Sequence, residues 1–290
     1  MKKKYLRIFI PVALLWLAAL ILAGFSDLDI SLRFADPMSV PGRILEIAGE
    51  PPAILFTSFN FSLIAACFLK RRDHGRRELV LAALSIVGMV GTIYYTVSAT
   101  FDYIRDWRAD LGRGFIGSAS ELFFTLLITA LISALLLGIS FGVSSERLEK
   151  ILKIAAHCVL AAALTLIIIW AFKLCWGRVR FRQLERYSDF TPFWHPNGYT
   201  GYFSFPSGHT ANATVIFTLT YYLRLLPESK RKYKPLVYAA LTLWVIILAL
   251  SRVLVGAHYL SDVLCGGAIT AAIVYFCRPG NAEPNSKENQ

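Results

Sequence analysis

The sequence predicts an all-α fold: a polytopic transmembrane helical bundle of about eight spans. Three observations carry the prediction. The 290 residues are 56% hydrophobic and 17% charged, with mean hydropathy +0.54, whereas soluble domains run near half apolar and a quarter charged. Eight apolar runs, about 6–25, 51–69, 79–100, 120–142, 152–173, 207–226, 235–253 and 258–277, approach the roughly 20 residues that cross a hydrocarbon core. Finally, the basic residues concentrate in alternate loops. Runs of this length exceed a buried strand, and lipid offers backbone groups no partners, so each closes its hydrogen bonds as a helix.

The first run follows Lys2, Lys3, Lys4 and Arg7. It also reads as a signal peptide, but its apolar stretch is long for one and "LILAGFSDL" lacks a small-x-small cleavage site. It is expected to stay as an anchor. The polar tail, 279–290, reads as disordered.

Orientation follows from lysine and arginine. "KRRDHGRR" (Lys70 to Arg77), Arg147, Lys150, Lys153 and "ESKRKYK" (Glu228 to Lys234) fall on the same side as the N-terminus. The intervening loops, about 26–50 and 101–119, are balanced or acidic. Both termini are therefore expected in the cytoplasm. The net charge of +11 is spread over these loops and not gathered on one face, which argues against nucleic acid as a partner.

One outward segment breaks the pattern. "KLCWGRVRFRQLER" (Lys173 to Arg186) holds one lysine and four arginines. Snorkelling accounts for one or two of them; the excess suggests an anion held at the outer surface. The five cysteines, at 67, 158, 175, 265 and 277, have no metal or redox spacing and read as small fillers without a disulfide.

Alternating helices bring three stretches to that outer side: Lys173 with Arg180, "PSGH" from Pro206 to His209, and "SRVLVGAHYLSD" from Ser251 to Asp262. His258 and Asp262, four apart, share a helix face. A carboxylate on one imidazole nitrogen fixes the tautomer and frees the other nitrogen to attack or to accept a proton. Lys173, Arg180 and Arg252 supply cations suited to a phosphoryl group. Ser207 and Gly208 open a helix whose free amides favour an anion. His209 is then placed to protonate a leaving oxygen. Alone, "FPSGH" reads most simply as a helix cap, but Asp262 inside a span is costly and points to function.

These motifs resemble the signature of the type 2 phosphatidic acid phosphatase superfamily: Lys, six residues, Arg-Pro; Pro-Ser-Gly-His; and Ser-Arg, five residues, His, three residues, Asp. The second and third match fully; the first has Phe181 in place of the proline. The resemblance implies a membrane lipid phosphatase, undecaprenyl-diphosphatase-like, that needs no cofactor and no metal. It implies His258 as the nucleophile that forms a phosphohistidine, oriented by Asp262. His209 would be the general acid and then base, while Lys173, Arg180, Ser207, Gly208 and Arg252 bind the phosphoryl oxygens. His74, His157 and His195 fall outside this set. The resemblance also implies a six-helix lipid phosphatase core, residues 78–278, which leaves two accessory N-terminal helices, residues 1–77, of which it says nothing. An aromatic loop, Tyr187 to Phe205, is expected to anchor at the interface and in part to cover the site, with Phe193 and Trp194 guiding a lipid chain.

The expected substrate is a lipid phosphate or diphosphate in the membrane, undecaprenyl diphosphate or a phosphatidate-type lipid, hydrolysed at the outer face of the cell membrane. Lipid A dephosphorylation and lipid-to-lipid phosphate transfer remain alternatives. A transport or scaffold protein with an anion site is the alternative of another class, and the His258, Asp262 and His209 set argues against it.

Overall fold

A computed structural model describes residues 3–71, 75–112 and 118–280, with side chains from residue 11 onward except 12 and 118. The tail from 281 and His74 of the "KRRDHGRR" loop lie outside the described residues.

Among the described residues every regular element is helical. The α-helices are α1 (Lys3–Phe34), α2 (Val40–Ala48), α3 (Pro51–Leu69), α4 (Arg76–Asp110), α5 (Ser118–Gly142), α6 (Ser145–Trp176), α7 (Gly208–Val215), α8 (Lys234–Leu254) and α9 (Leu260–Phe276). A 3₁₀ stretch, Ile216–Leu225, continues α7.

Six helical segments are long and apolar enough to cross a membrane: Ala13–Phe34, Val40–Leu69, Arg76–Asp110, Ala119–Gly142, Ser145–Trp176 and Glu228–Leu254. The other two expected runs fold differently. Residues 207–226 divide between α7 and the 3₁₀ stretch, and 258–277 yields α9, 17 residues long. The hydroxyls of Thr214, Thr218 and Thr220 donate to carbonyls three or four residues back, at 2.7, 2.8 and 2.6 Å. Such bonds compete with the helical ladder where the helix gives way.

Lipid-facing and packed surfaces separate cleanly. Leu122, Phe123, Leu126, Leu131 and Leu135 of α5 are exposed, as befits a helix facing acyl chains. Inside, Ile154, Cys158 and Ala161 of α6 pack on Tyr221 and on Ile273 and Val274 of α9. Leu63, Ala66 and Cys67 of α3 meet Leu148 and Ala155 of α6. Cys67, Cys158, Cys265 and Cys277 are buried, Cys175 is exposed, and all five are free.

The accessory segment is built into the bundle. Helix α3 lies along α4 and α6, α1 along α9, and α2 against α8. Ser39 caps α2 by accepting from Gly42 N–H at 3.4 Å. Arg43 ties α2 down through the Pro37 carbonyl at 2.8 Å, Glu46 at 3.0 Å and Asp110 of α4.

Candidate active site

The C-terminal ends of α1, α4, α6 and α8 and the N-terminal ends of α3, α7 and α9 meet at one end of the bundle. Helix α6 stops at Gly177, whose φ of +50° is left-handed, and a Cβ there would sit 2.1 Å from the Gly198 carbonyl. Only glycine suits both demands. The chain then folds back on the end of α6: Asn197 and Gly198 N–H donate to Trp176 and Cys175 carbonyls, both at 3.0 Å, and Ser204 N–H donates to Arg178 at 2.9 Å.

Lys173, in the last turn of α6, is buried and donates to the Phe203 carbonyl at 2.5 Å. Its chain end lies 3.5 Å from where a Cβ on Gly208 would stand, so residue 208 and the lysine share one small space. Arg252, wholly buried, donates to the Gly42 carbonyl at 2.9 Å and to Ser251 Oγ, and its Nη1 lies 3.3 Å from Glu46. The rings of His209 and His258 are 6.4 Å apart, close enough for both to touch one phosphoryl group. Arg180 Nε and His209 Nε2 are buried and find no hydrogen-bond partner among the described residues, and Arg252 Nη1 has only its ion-pair contact with Glu46. Unpaired buried polar atoms are costly, and two of them beside the Arg252 guanidinium describe a seat for an anion.

His258 Nδ1 lies 2.6 Å from the Ser204 carbonyl and 3.8 Å from Asp262 Oδ2. A carbonyl only accepts, so Nδ1 carries the hydrogen and Nε2 keeps its lone pair. The tautomer expected from Asp262 is thus set by a backbone oxygen, because Asp262 is already occupied. It accepts from Arg178 at 2.6 Å, Ser204 Oγ at 2.6 Å and Tyr259 N–H at 2.9 Å. The last bond caps the start of α9. Asp262 therefore reaches His258 through Ser204, whose hydroxyl it holds and whose carbonyl the imidazole meets.

Ser207 also departs from expectation. Its N–H donates to the Asp262 carbonyl at 3.0 Å and its Oγ accepts from Thr210 N–H at 3.3 Å as the cap of α7. The amide expected to meet phosphate is spent on α9, which presses against it: a Cβ on Gly266 would lie 2.5 Å from the Ser207 carbonyl. Its hydroxyl hydrogen and the Gly208 amide, at the first helical position, are the donors left.

The five cations between Lys173 and Arg186 divide. Arg178 has 0% exposure and is clamped between Asp262 and Asp27, at 2.6 and 3.0 Å, and donates to the Thr191 carbonyl. Burial disfavours its charge, but the two carboxylates outweigh that and raise its pKa above the ordinary value. Arg182 pairs with Glu46 at 3.1 Å and Arg186 is exposed. Arg180 is held without the proline that Phe181 replaces: a 3₁₀ turn follows it, pinned by Arg182 N–H on the Gly256 carbonyl at 3.0 Å. Burial and neighbouring Arg182 lower the Arg180 pKa.

The accessory helices supply three carboxylates that sequence reasoning missed. Asp27 accepts from Arg178, and from Ser261 N–H at 2.9 Å and its hydroxyl. Glu46 faces Arg43, Arg182 and Arg252. Glu50 lies 3.5 Å from His209 Nδ1 and accepts from Asn212 at 3.1 Å. Carboxylates set among apolar residues were the available signal.

Of the aromatic loop, Phe190 packs on Tyr259 and on Arg178. Phe193 and Trp194 instead lie against Gly24 of α1, with Trp194 also on Phe25, and Trp176 donates to the Phe193 carbonyl at 2.5 Å. An apolar cavity of about 430 Å³ is lined by other elements: Ala53 and Phe61 of α3, Gly88 of α4, Ala162 of α6, and Asn212 of α7. His157, left out of the set, meets the Cys277 carbonyl at 2.6 Å, away from this cluster.

Residues 154–283 match the model of the PAP2 superfamily. This stretch holds all three motifs, so the resemblance read from the sequence is borne out. The chain is 33% identical over 93 residues to phosphatidylglycerophosphatase B of Bacillus subtilis, covering 32% of this chain and 43% of that protein. It is 35% identical over 107 residues to lipid A 1-phosphatase of Rhizobium etli, covering 34% and 40%. The lipid A 1-phosphatase of Rhizobium johnstonii is 34% identical over 97 residues, covering 33% and 34%. The chain thus spans less than half the length of these relatives. No solved structure matches. The PAP2 match begins within α6, so Asp27, Glu46 and Glu50 lie outside it.

Proposed function

We propose that the chain is a membrane phosphatase that hydrolyses a lipid phosphate or diphosphate through a phosphohistidine on His258. The observation that carries the reading is the meeting of the three motifs around two imidazoles 6.4 Å apart, with Arg180 and His209 each holding a buried polar atom that has no hydrogen-bond partner among the described residues. In the proposed reaction, His258 Nε2 attacks phosphorus and the bond to the leaving oxygen breaks. His209 gives that oxygen its proton. Water then attacks the phosphohistidine, His209 takes its proton, and His258 is restored. Lys173, Arg180, Arg252, the Gly208 amide and the Ser207 hydroxyl hold the phosphoryl oxygens. These cations take the charge-neutralising role of a metal, so turnover is proposed to be metal-independent.

A lipid substrate is supported by the apolar cavity beside Asn212, one turn from His209, and by relatives named for phosphatidylglycerophosphate and lipid A. Undecaprenyl diphosphate and phosphatidate-type lipids are the proposed classes. The basic residues Lys70, Arg147, Lys150 and Lys230 to Lys234 sit at the other end of the bundle from the motifs, which supports a site on the outer face with cytoplasmic termini. Phosphate release from undecaprenyl diphosphate, phosphatidylglycerophosphate, phosphatidate and lipid A, measured with EDTA present, tests this. Turnover of at least one is expected; none, or a need for added divalent ions, overturns it.

A further inference from the structure

We infer that Glu50 is a positioning residue for His209, so that the proton-donating imidazole is completed by a helix outside the PAP2 match. The inference rests on the proposed role of His209. Glu50 stands at the N-cap of α3, where a carboxylate ordinarily turns back onto its own helix, yet it makes no cap bond. Its side chain reaches α7 instead. It is 5% exposed, anchored by Asn212 Nδ2 at 3.1 Å, and its Oε1 stands 3.5 Å from His209 Nδ1. The contact is longer than a good hydrogen bond; catalytic pairs often tighten only in the substrate complex.

The other groups around His209 are Tyr103 of α4, whose ring centroid lies 5.2 Å away, Lys173 of α6, Arg180, Arg252 of α8, and His258. Three are cations, which oppose an imidazolium. Among these neighbours Glu50 alone is a carboxylate. With Nδ1–H directed at it, the other nitrogen, Nε2, is the one that carries the transferable proton. That atom is buried and unpartnered. In the first half-reaction Nε2–H passes to the leaving oxygen while Nδ1 keeps its hydrogen toward Glu50. In the second, Nε2 takes a proton from the attacking water. Glu50 gains and loses nothing; it holds the ring and stabilises its charged form.

The test uses the full chain purified in mixed lipid micelles, with dioctanoyl phosphatidate and with p-nitrophenyl phosphate, whose leaving group needs no protonation. Glu50→Gln keeps an acceptor for Asn212 but removes the charge. Expected is a fall in kcat on phosphatidate of about 10- to 100-fold with KM within about twofold, and a much smaller loss on p-nitrophenyl phosphate. Glu50→Asp should recover part of the loss. In a His209→Ala background Glu50→Gln should cost little more, because both act on one step. Inactive His209→Ala beside a fully active Glu50→Gln overturns this inference alone, as does an equal loss on both substrates. A fully active His209→Ala, or a wild-type chain that releases no phosphate, overturns the reading of the site beneath it.

Discussion

Asp27→Ala should destabilise the whole bundle, although residue 27 lies far outside the PAP2 match. Its carboxylate has 0% side-chain exposure and accepts from Arg178 at 3.0 Å, from Ser261 N–H at 2.9 Å and from the Ser261 hydroxyl. Losing the charged bond costs about 1.5–3 kcal/mol, and an unsatisfied buried N–H about 1–3 kcal/mol. Arg178 keeps Asp262 at 2.6 Å, so its charge is not wholly orphaned. Their sum agrees with the roughly 3–5 kcal/mol expected when one partner leaves a buried pair. Thermal unfolding of the purified chain in detergent should show a fall in Tm on the order of 10 °C. Asp29→Ala, two residues along on the exposed face, should stay within about 0.5 kcal/mol of wild type. Equal melting of the two variants would refute the idea that α1 is clamped to the site through Arg178.

Two further outcomes follow from the geometry. Gly266→Ala puts a methyl 2.5 Å from the Ser207 carbonyl, against backbone that cannot swing aside, so phosphate release should fall at least about tenfold through displacement of α7; normal turnover would show that the α7–α9 contact does not set the site. Ala162→Phe, which fills the apolar cavity, should raise KM for a long-chain lipid phosphate and leave a dioctanoyl substrate nearly unchanged. The reverse pattern, with Phe193→Ala and Trp194→Ala selective for chain length, would return chain guidance to the aromatic loop.

The helical class, the helix positions and the three motif segments were legible because periodicity, apolar length and short spacings are local properties. His258 and Asp262 lie on one short segment, and Lys173 and Arg180 are seven residues apart; nothing distant is needed to relate them. What stayed illegible was the choice of partners. The family spacing links Asp262 to His258, but whether the carboxylate meets the ring or Arg178 depends on the fold of the Thr191–Ser204 loop. The Ser207 amide looked free because its acceptor, the Asp262 carbonyl, is 55 residues on. Glu50 and Asp27 find partners 162 and 151 or more residues away, and before folding they read as charges of an acidic loop. The one lysine and four arginines between Lys173 and Arg186 pointed together to an anion, yet protein carboxylates hold Arg178 and Arg182. A local count of charge cannot distinguish a ligand's seat from a buried ion pair.

The proposed reaction turns on a covalent phosphoryl group on His258. Rapid alkaline quench of the full chain during turnover of a lipid phosphate labelled at phosphorus measures it most directly, since phosphohistidine survives base and is lost in acid. Acid-labile label is expected on the peptide containing His258, and neither label nor phosphate release in His258→Ala. Turnover without label at any quench time, or sustained phosphate release by His258→Ala, would contradict it.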